Sequence, residues 1–156
     1  MHPSAMLHGK HFIESLQYRD GRQVKVVEVG AQDVNGSLRA FIPDGYHYTG
    51  CDFVEGRNVD QVLEDPYCLP FEECSVDVVI ASSCFEHSDM FWLVFLEVLR
   101  ILKTDGLFYL NTPSNGYIHR HPVDSWRFYP DSGKSLVQWG QRNGYVCHEG
   151  GVMATT

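Results

Sequence analysis

Histidines and carboxylates recur together along this chain of 156 residues. Glu86-His87 closes an apolar run, and His119, His121, Asp124 and Tyr129 follow within one long polar stretch. Histidine titrates near neutrality and can act as a general base. His119, His121 and Asp124 also offer a second chemistry, because imidazole and carboxylate are common metal ligands. No further ligand stands at a recognisable spacing, so the sequence assigns no metal. Earlier in the chain, Gly30 and Gly36 sit in one short turn, and Asp52 and Asp65 end the next two segments. Glycine lets a backbone approach a ligand closely and adopt positive φ. A carboxylate is an acceptor with two oxygens. Plainer readings stand beside these. The glycines can mark only a tight turn, Asp52 a solvated strand end, and Asp65 before Pro66 a turn residue.

The elements that must position these groups follow from periodicity. Residues 24–29, 47–52, 76–82 and 106–111 read as strands. The first and third are nearly continuous in Val and Ile, the pattern of strands covered on both faces. Weaker strands are expected over 60–64 and 145–152. Helices are expected over 37–42, 89–103 and 131–143, with Ser88 or Asp89 as an N-cap and Gly144 as a stop. Alternation of strand and helix predicts a parallel α/β sheet. Residues 53–59 are too few for a crossover helix and should form a loop. Residues 90–102 are apolar almost all round, so that helix should be covered on more than one face, by a neighbouring helix or a partner subunit. His8 and His11 belong to a solvated or cofactor-covering N-terminal helix and are assigned no chemistry. The chain reads as a single domain over 1–156, with an N-terminal extension over 1–22.

The segment Val26-Val27-Glu28-Val29-Gly30-Ala31-Gln32-Asp33-Val34-Asn35-Gly36-Ser37 runs from a buried strand through a glycine turn into the helix expected after it. That helix would offer free N–H groups at its start. A cofactor at the carboxyl end of the first strand is the expected consequence. Dinucleotide binders favour G-x-G-x-x-G here, and this turn lacks that spacing. Glu28-Val29-Gly30 resembles motif I of the class I S-adenosylmethionine (SAM)-dependent methyltransferases, E/D-x-G-x-G-x-G, with Gln32 in place of the middle glycine. The wider turn resembles the type-11-like branch, which reads "VGxxDVNGS". Further resemblances follow in order: Tyr48-Thr49-Gly50-Cys51-Asp52, then Glu64-Asp65-Pro66-Tyr67-Cys68-Leu69-Pro70-Phe71, then Val76-Asp77-Val78-Val79-Ile80, then Ser83-Cys84-Phe85-Glu86-His87, then Leu102-Lys103-Thr104-Asp105-Gly106-Leu107.

The resemblance implies a Rossmann-like three-layer α/β sandwich with a mostly parallel sheet. It implies a SAM site made by Glu28, Gly30, Ala31, Gln32, Asn35, Gly36, Asp52, Phe53, Asp65, Pro66, Tyr67 and Ser83. Asp52 would accept from the ribose hydroxyls, and Asp65 would meet the adenine amine with Pro66 or Tyr67 beside the ring. His87, His119, His121 and Tyr129 would face a methyl acceptor, a small molecule or glycan, leaving S-adenosylhomocysteine as product. Residues 112–130 resemble the branch's "H-x-x-D-x-W-R-F-x-P" stretch and would form a lid, with Trp126 or Phe128 anchored in the core. Two other functions remain open: SAM binding without catalysis, in a regulator or scaffold, and a nicotinamide-dependent oxidoreductase, which the missing G-x-G-x-x-G disfavours.

A formal net charge of −8, with twelve scattered Lys and Arg, argues against binding bulk nucleic acid. No apolar run approaches the roughly 18 residues that span a bilayer, and residues 1–10 lack a basic segment followed by an apolar core, so a signal peptide is not expected. Five dispersed cysteines without a CxxC pair suit free thiols in a reducing compartment. A cytoplasmic location is therefore expected. Too few residues follow 152 for the seventh strand of the family sheet. The resulting open edge, together with the apolar 90–102 helix, motivates homodimerisation as a hypothesis.

Overall fold

Strand β1, Lys25–Val29, shows why the sheet lies where it does. Its last four residues are all buried, and alternate side chains leave on opposite faces. Val26 joins Val78 and Ile80 in one hydrophobic cluster, while Val27 and Val29 join Val79 and Ala81 in another. Both faces are therefore covered. The computed structural model describes residues 2–16 and 23–150. Around β1 it sets β2 (His47–Asp52), β3 (Gln61–Val62), β4 (Val76–Ser82) and β5 (Leu102–Asn111). The sheet order is β3-β2-β1-β4-β5, and every pairing is parallel.

Among the described residues, three helices cover the sheet. Helix α1, Pro3–Ser15, starts with His2 accepting from Ser4 N and Pro3 in the first turn, where a missing N–H costs nothing. Ala5, Gly9 and Ile13, four apart on one face, are its buried residues. Ile13 packs with Val26, Leu38, Val78 and Ile80. Helix α1 thus packs on one face of the sheet. On the other face lie α2, Phe91–Ile101, and α3, Ser132–Arg142. Val94, Phe95, Val98 and Ile101 of α2 join Leu136 of α3 in the larger cluster. Helix α3 therefore covers much of the apolar α2. The result is a three-layer α/β/α sandwich.

Four expectations change. Residues 37–42 form only a 3-10 turn, Leu38–Phe41, because Ile42 is extended ahead of Pro43, as a residue before proline prefers. Residues 145–150 form no strand, while 151 and 152 lie outside the described residues. Helix α2 begins later than expected and has no side-chain cap, its N-cap being Met90. Strand β5 begins earlier, directly after α2. Leu102 pairs with Val76 and Leu107 with Val78, so a wide bulge opens opposite Asp77. Lys103 Nζ reaches both oxygens of the buried Asp77 carboxylate there, at 2.9 Å each.

Candidate functional site

The carboxyl ends of β1, β2 and β4 open into one cavity of about 1180 Å³. Its lining brings together Gly30, Gln32, Asn35, Gly36, Asp52, Phe53, Pro66, Tyr67, Ser83, His87, His119 and His121 from the expected site. It also contains Val29, Ser82, Cys84, Glu86, Asn111 and Tyr117, among others. Position at a strand end would have flagged Val29, Ser82 and Asn111, since ligands of open α/β sheets bind there.

The turn after β1 approaches its neighbours closely. Gly30 has φ +75°, and a Cβ on it would lie 2.7 Å from both Cβ and Sγ of Cys84. Gly30 N and Ala31 N both donate to Cys51 O, at 2.9 and 3.0 Å. Gln32, which stands where the family has glycine, is not among the positive-φ residues, so a side chain costs nothing there. That side chain lies against Gly56, where a Cβ would come within 2.6 Å of Gln32 Nε2. The turn leads into irregular chain and the short 3-10 turn. No α-helix follows the turn among the described residues, contrary to the sequence reading; the N-terminus of α1 borders the cavity instead, through His2, Pro3 and Ala5.

Asp52 ties this turn to the end of β2. Its Oδ2 accepts from Gln32 N at 3.0 Å and its Oδ1 from Val54 N at 3.3 Å. A carboxylate offers about four lone-pair sites, so acceptor capacity remains toward the cavity. Asp65 is placed otherwise. Its Oδ1 accepts from Tyr67 N at 2.8 Å, and it is exposed outside the cavity lining, shaping the turn that presents Pro66 and Tyr67. Ala31 is buried behind the turn.

Glu28 lies beneath the turn and outside the lining. It accepts from Tyr48 OH, which in turn accepts from Asn58 Nδ2 at 3.0 Å, and Asn58 Nδ2 also donates to Ala31 O at 2.8 Å. The network fixes the turn from below. Burial pushes the Glu28 carboxyl up to about 7.

At the other end of the cavity, Ser83 takes φ +54° and donates its N–H to Asn111 O at 2.9 Å. The 3-10 turn Phe85–His87 follows. Phe85 points into the core, tilted against Phe91, Phe108 and Phe128. Glu86 is 1% exposed, and its Oε2 has no hydrogen-bond partner among the described residues. Burial pushes its carboxyl up to about 7. His87 Nδ1 lies 2.7 Å from Val123 O. Since a carbonyl only accepts, Nδ1 carries the proton and Nε2 the lone pair. Desolvation holds His87 below the ordinary histidine range, favouring the neutral ring. The His119 ring sits edge-on at 4.9 Å from His87, and the His121 ring at 6.3 Å.

Residues 112–130 are irregular but pinned down. Ser125 N donates to Glu86 O and Trp126 Nε1 to Ser88 O, each at 2.8 Å. Phe128 is buried, and its N–H donates to Pro113 O. Asp124 does not face the other candidate ligands freely. Arg127 holds both its oxygens, at 2.6 and 2.8 Å, and His119 N donates to it at 2.7 Å. The Arg127 guanidinium keeps its carboxyl well below the usual range. Tyr129 is 67% exposed and lines a second cavity of about 410 Å³ with Trp92, Trp126 and Trp139, apart from His87 and its neighbours.

Among known proteins, the family model described as "Methyltransferase domain" matches residues 19–110. No curated protein matches the sequence significantly. Several solved structures share the fold. The YcgJ protein from Bacillus subtilis superposes with a TM-score of 0.64 at 17% identity, over 90% of this chain and 68% of its own. The Burkholderia thailandensis 1,6-didemethyltoxoflavin-N1-methyltransferase, solved with 1,6-didemethyltoxoflavin and S-adenosylhomocysteine, gives 0.62 at 19% identity, over 88% and 67%. A chain from the complex of the Haloferax volcanii Trm112 methyltransferase activator with a methyltransferase gives 0.64 at 20% identity, over 96% and 72%.

Proposed function

Because this chain belongs to the methyltransferase-domain family, whose cofactor is SAM, we propose that it transfers a methyl group to a small-molecule or glycan-type acceptor. The observation that carries this reading is the continuity of the cavity. Gly30 and Asp52 border the same space as Glu86, His87, His119 and His121. The residues fit the cofactor: a bare glycine with left-handed backbone, a buried carboxylate with spare acceptor capacity, and a cavity larger than a drug-sized ligand needs.

When bound, SAM supplies an electrophilic methyl group. The chain supplies the rest. Gly30, Gln32, Asn35, Gly36, Phe53, Pro66, Tyr67 and Ser83 shape the cofactor end, and Asp52 accepts from sugar hydroxyls. Residues 112–130 shield the acceptor end from water and orient the acceptor, which is where most of the rate gain from alignment arises. An imidazole there accepts the proton that the acceptor loses. Tyr129 is not assigned to this step, since it lines the other cavity.

No helix among the described residues is long and apolar enough to cross a membrane. The free cysteines support our reading of a cytoplasmic protein. Among the described residues β5 is an edge strand, with Leu107 45% exposed, and we assign it to self-association.

Methyl transfer from isotopically labelled SAM to a panel of phenols, amines and sugars tests the reading. Labelled product is expected, with loss of transfer but retained SAM binding in His87→Ala. SAM binding with no product from any acceptor class would favour a non-catalytic SAM-binding protein. Transfer unchanged in His87→Ala would remove the acceptor end from its proposed place.

A further inference from the structure

We propose that Glu86, His87 and His119 hold a divalent first-row transition-metal ion at the acceptor end of the cavity. One ligand atom from each of the three lies within 4.8 Å of the others, and His87 Nε2 is 3.8 Å from Glu86 Oε1. Bonds of about 2.0–2.2 Å to one ion bring such atoms to a little over 3 Å apart. The closing movement is small, and the His119 side chain is about half exposed, so rotation of the ring can supply it.

Three independent features point to a cation. The first is the orphan oxygen. Glu86 Oε2 is buried without a partner, and an unpaired buried polar atom is costly. Arg127, a cation of the overlying loop, is already held by both oxygens of Asp124. The second is the tautomer of the two imidazoles. His87 Nδ1 meets Val123 O at 2.7 Å, and His119 Nδ1 meets Tyr117 O at 3.1 Å. Each ring therefore carries its proton on Nδ1 and presents the Nε2 lone pair. Metal-bound histidines are commonly oriented by this kind of outer hydrogen bond. The third is the loop itself. Arg127 and His119 N fix Asp124, which stands 3.5 Å from His119 Nδ1 and supports the ring from outside.

Two imidazoles and one carboxylate suit zinc, iron(II) or cobalt(II) better than calcium or magnesium. Three protein ligands leave a coordination position open, the arrangement of catalytic rather than structural sites. All three residues line the cavity shared with Gly30 and Asp52. Resting on the methyltransferase reading, the ion would bind an acceptor hydroxyl there and ease loss of its proton. His121, whose ring lies 6.3 Å from His87, then takes that proton and passes it to solvent. The acceptor class so selected is a hydroxyl compound. The sequence offered His119, His121 and Asp124 as possible ligands but assigned no metal. Asp124 is excluded by its salt bridge, and Glu86 and His87 come from a different element.

Titration of the chelator-stripped protein with Co²⁺, followed by its visible d–d absorption and by Zn²⁺ calorimetry, tests the site. One equivalent should bind. Affinity should fall at least about 100-fold in Glu86→Gln and in His119→Ala, a ligand counting for no less than an outer-shell partner. His11→Ala, on the exposed face of α1, should leave it unchanged. S-adenosylhomocysteine affinity, measured on the same variants, reports folding and the cofactor end separately. No one-to-one binding, or binding that both variants retain, would overturn the metal site while leaving the methyltransferase reading intact.

Discussion

Replacing Gly30 by alanine isolates the geometry on which the cofactor end depends. Two costs follow from the structure. Gly30 has φ +75°, and an L-residue in left-handed backbone loses about 1–2 kcal/mol. The new Cβ would also stand 2.7 Å from the Cβ and Sγ of Cys84, closer than packing allows. Relief requires movement of the turn or of the β4 end, at about 1–3 kcal/mol. The sum, about 2–5 kcal/mol, is a large share of the stability of an ordinary domain. Urea unfolding followed by tryptophan fluorescence should show a lower midpoint with unchanged slope. The double variant Gly30→Ala/Cys84→Gly removes the clash and keeps the backbone cost. Compared with Cys84→Gly alone, it should lose only about 1–2 kcal/mol. A Gly30→Ala protein within about 0.5 kcal/mol of the parent, or no relief in the double variant, would refute this account of the turn.

Other perturbations probe separate parts of the site. Asp52→Ala should weaken S-adenosylhomocysteine binding by about 1.5–3 kcal/mol by calorimetry, as expected for hydrogen bonds to a charged group; unchanged affinity would remove Asp52 from the site. Glu28 has a folded-state carboxyl raised from 4.5 to about 7. The protonated form is therefore favoured by folding. Its contribution is fully present below pH 4.5 and is lost as pH rises through about 7, to the extent of about 3 kcal/mol. Glu28→Gln should flatten the stability profile between pH 5 and 8 and stabilise the protein at pH 8; a profile of unchanged slope would exclude Glu28 as its source. Lys103→Met should cost about 1.5–3 kcal/mol in urea unfolding, because it removes a charged donor from the buried Asp77 carboxylate, to which Lys25 N still donates at 2.9 Å, and a loss below about 0.5 kcal/mol would show that charge to be otherwise compensated.

Much of the sheet was legible because its signal is local. The runs 47–52 and 76–82 coincide with β2 and β4, and 24–29 includes β1. Their continuous Val and Ile content reflects burial on both faces. The Rossmann-like sandwich and the glycine turn after β1 followed from those strands and from the order of short motifs. Where tertiary context decided, the sequence misled. Residues 37–42 carry helix-forming residues, yet six residues ahead of Pro43 close only a 3-10 turn. The Ala5, Gly9 and Ile13 stripe was a readable signal for a packed α1, overshadowed by the histidines around it. Gln32 looked like damage to a glycine motif, but the backbone there is not left-handed and Gly56 makes room for the side chain. Asp65 and Tyr129 were carried over by motif position. The first forms a turn and the second lines another cavity, both outcomes of loop paths that no short-range pattern encodes. Glu86 stood beside His87 in the sequence, but its orphaned oxygen is visible only once residues 112–130 fold over it.

Calorimetric titration of the purified protein with SAM, S-adenosylhomocysteine and NAD tests the central claim most directly. The account predicts saturable one-to-one binding of SAM and S-adenosylhomocysteine and no binding of NAD. NAD binding without SAM binding would contradict it.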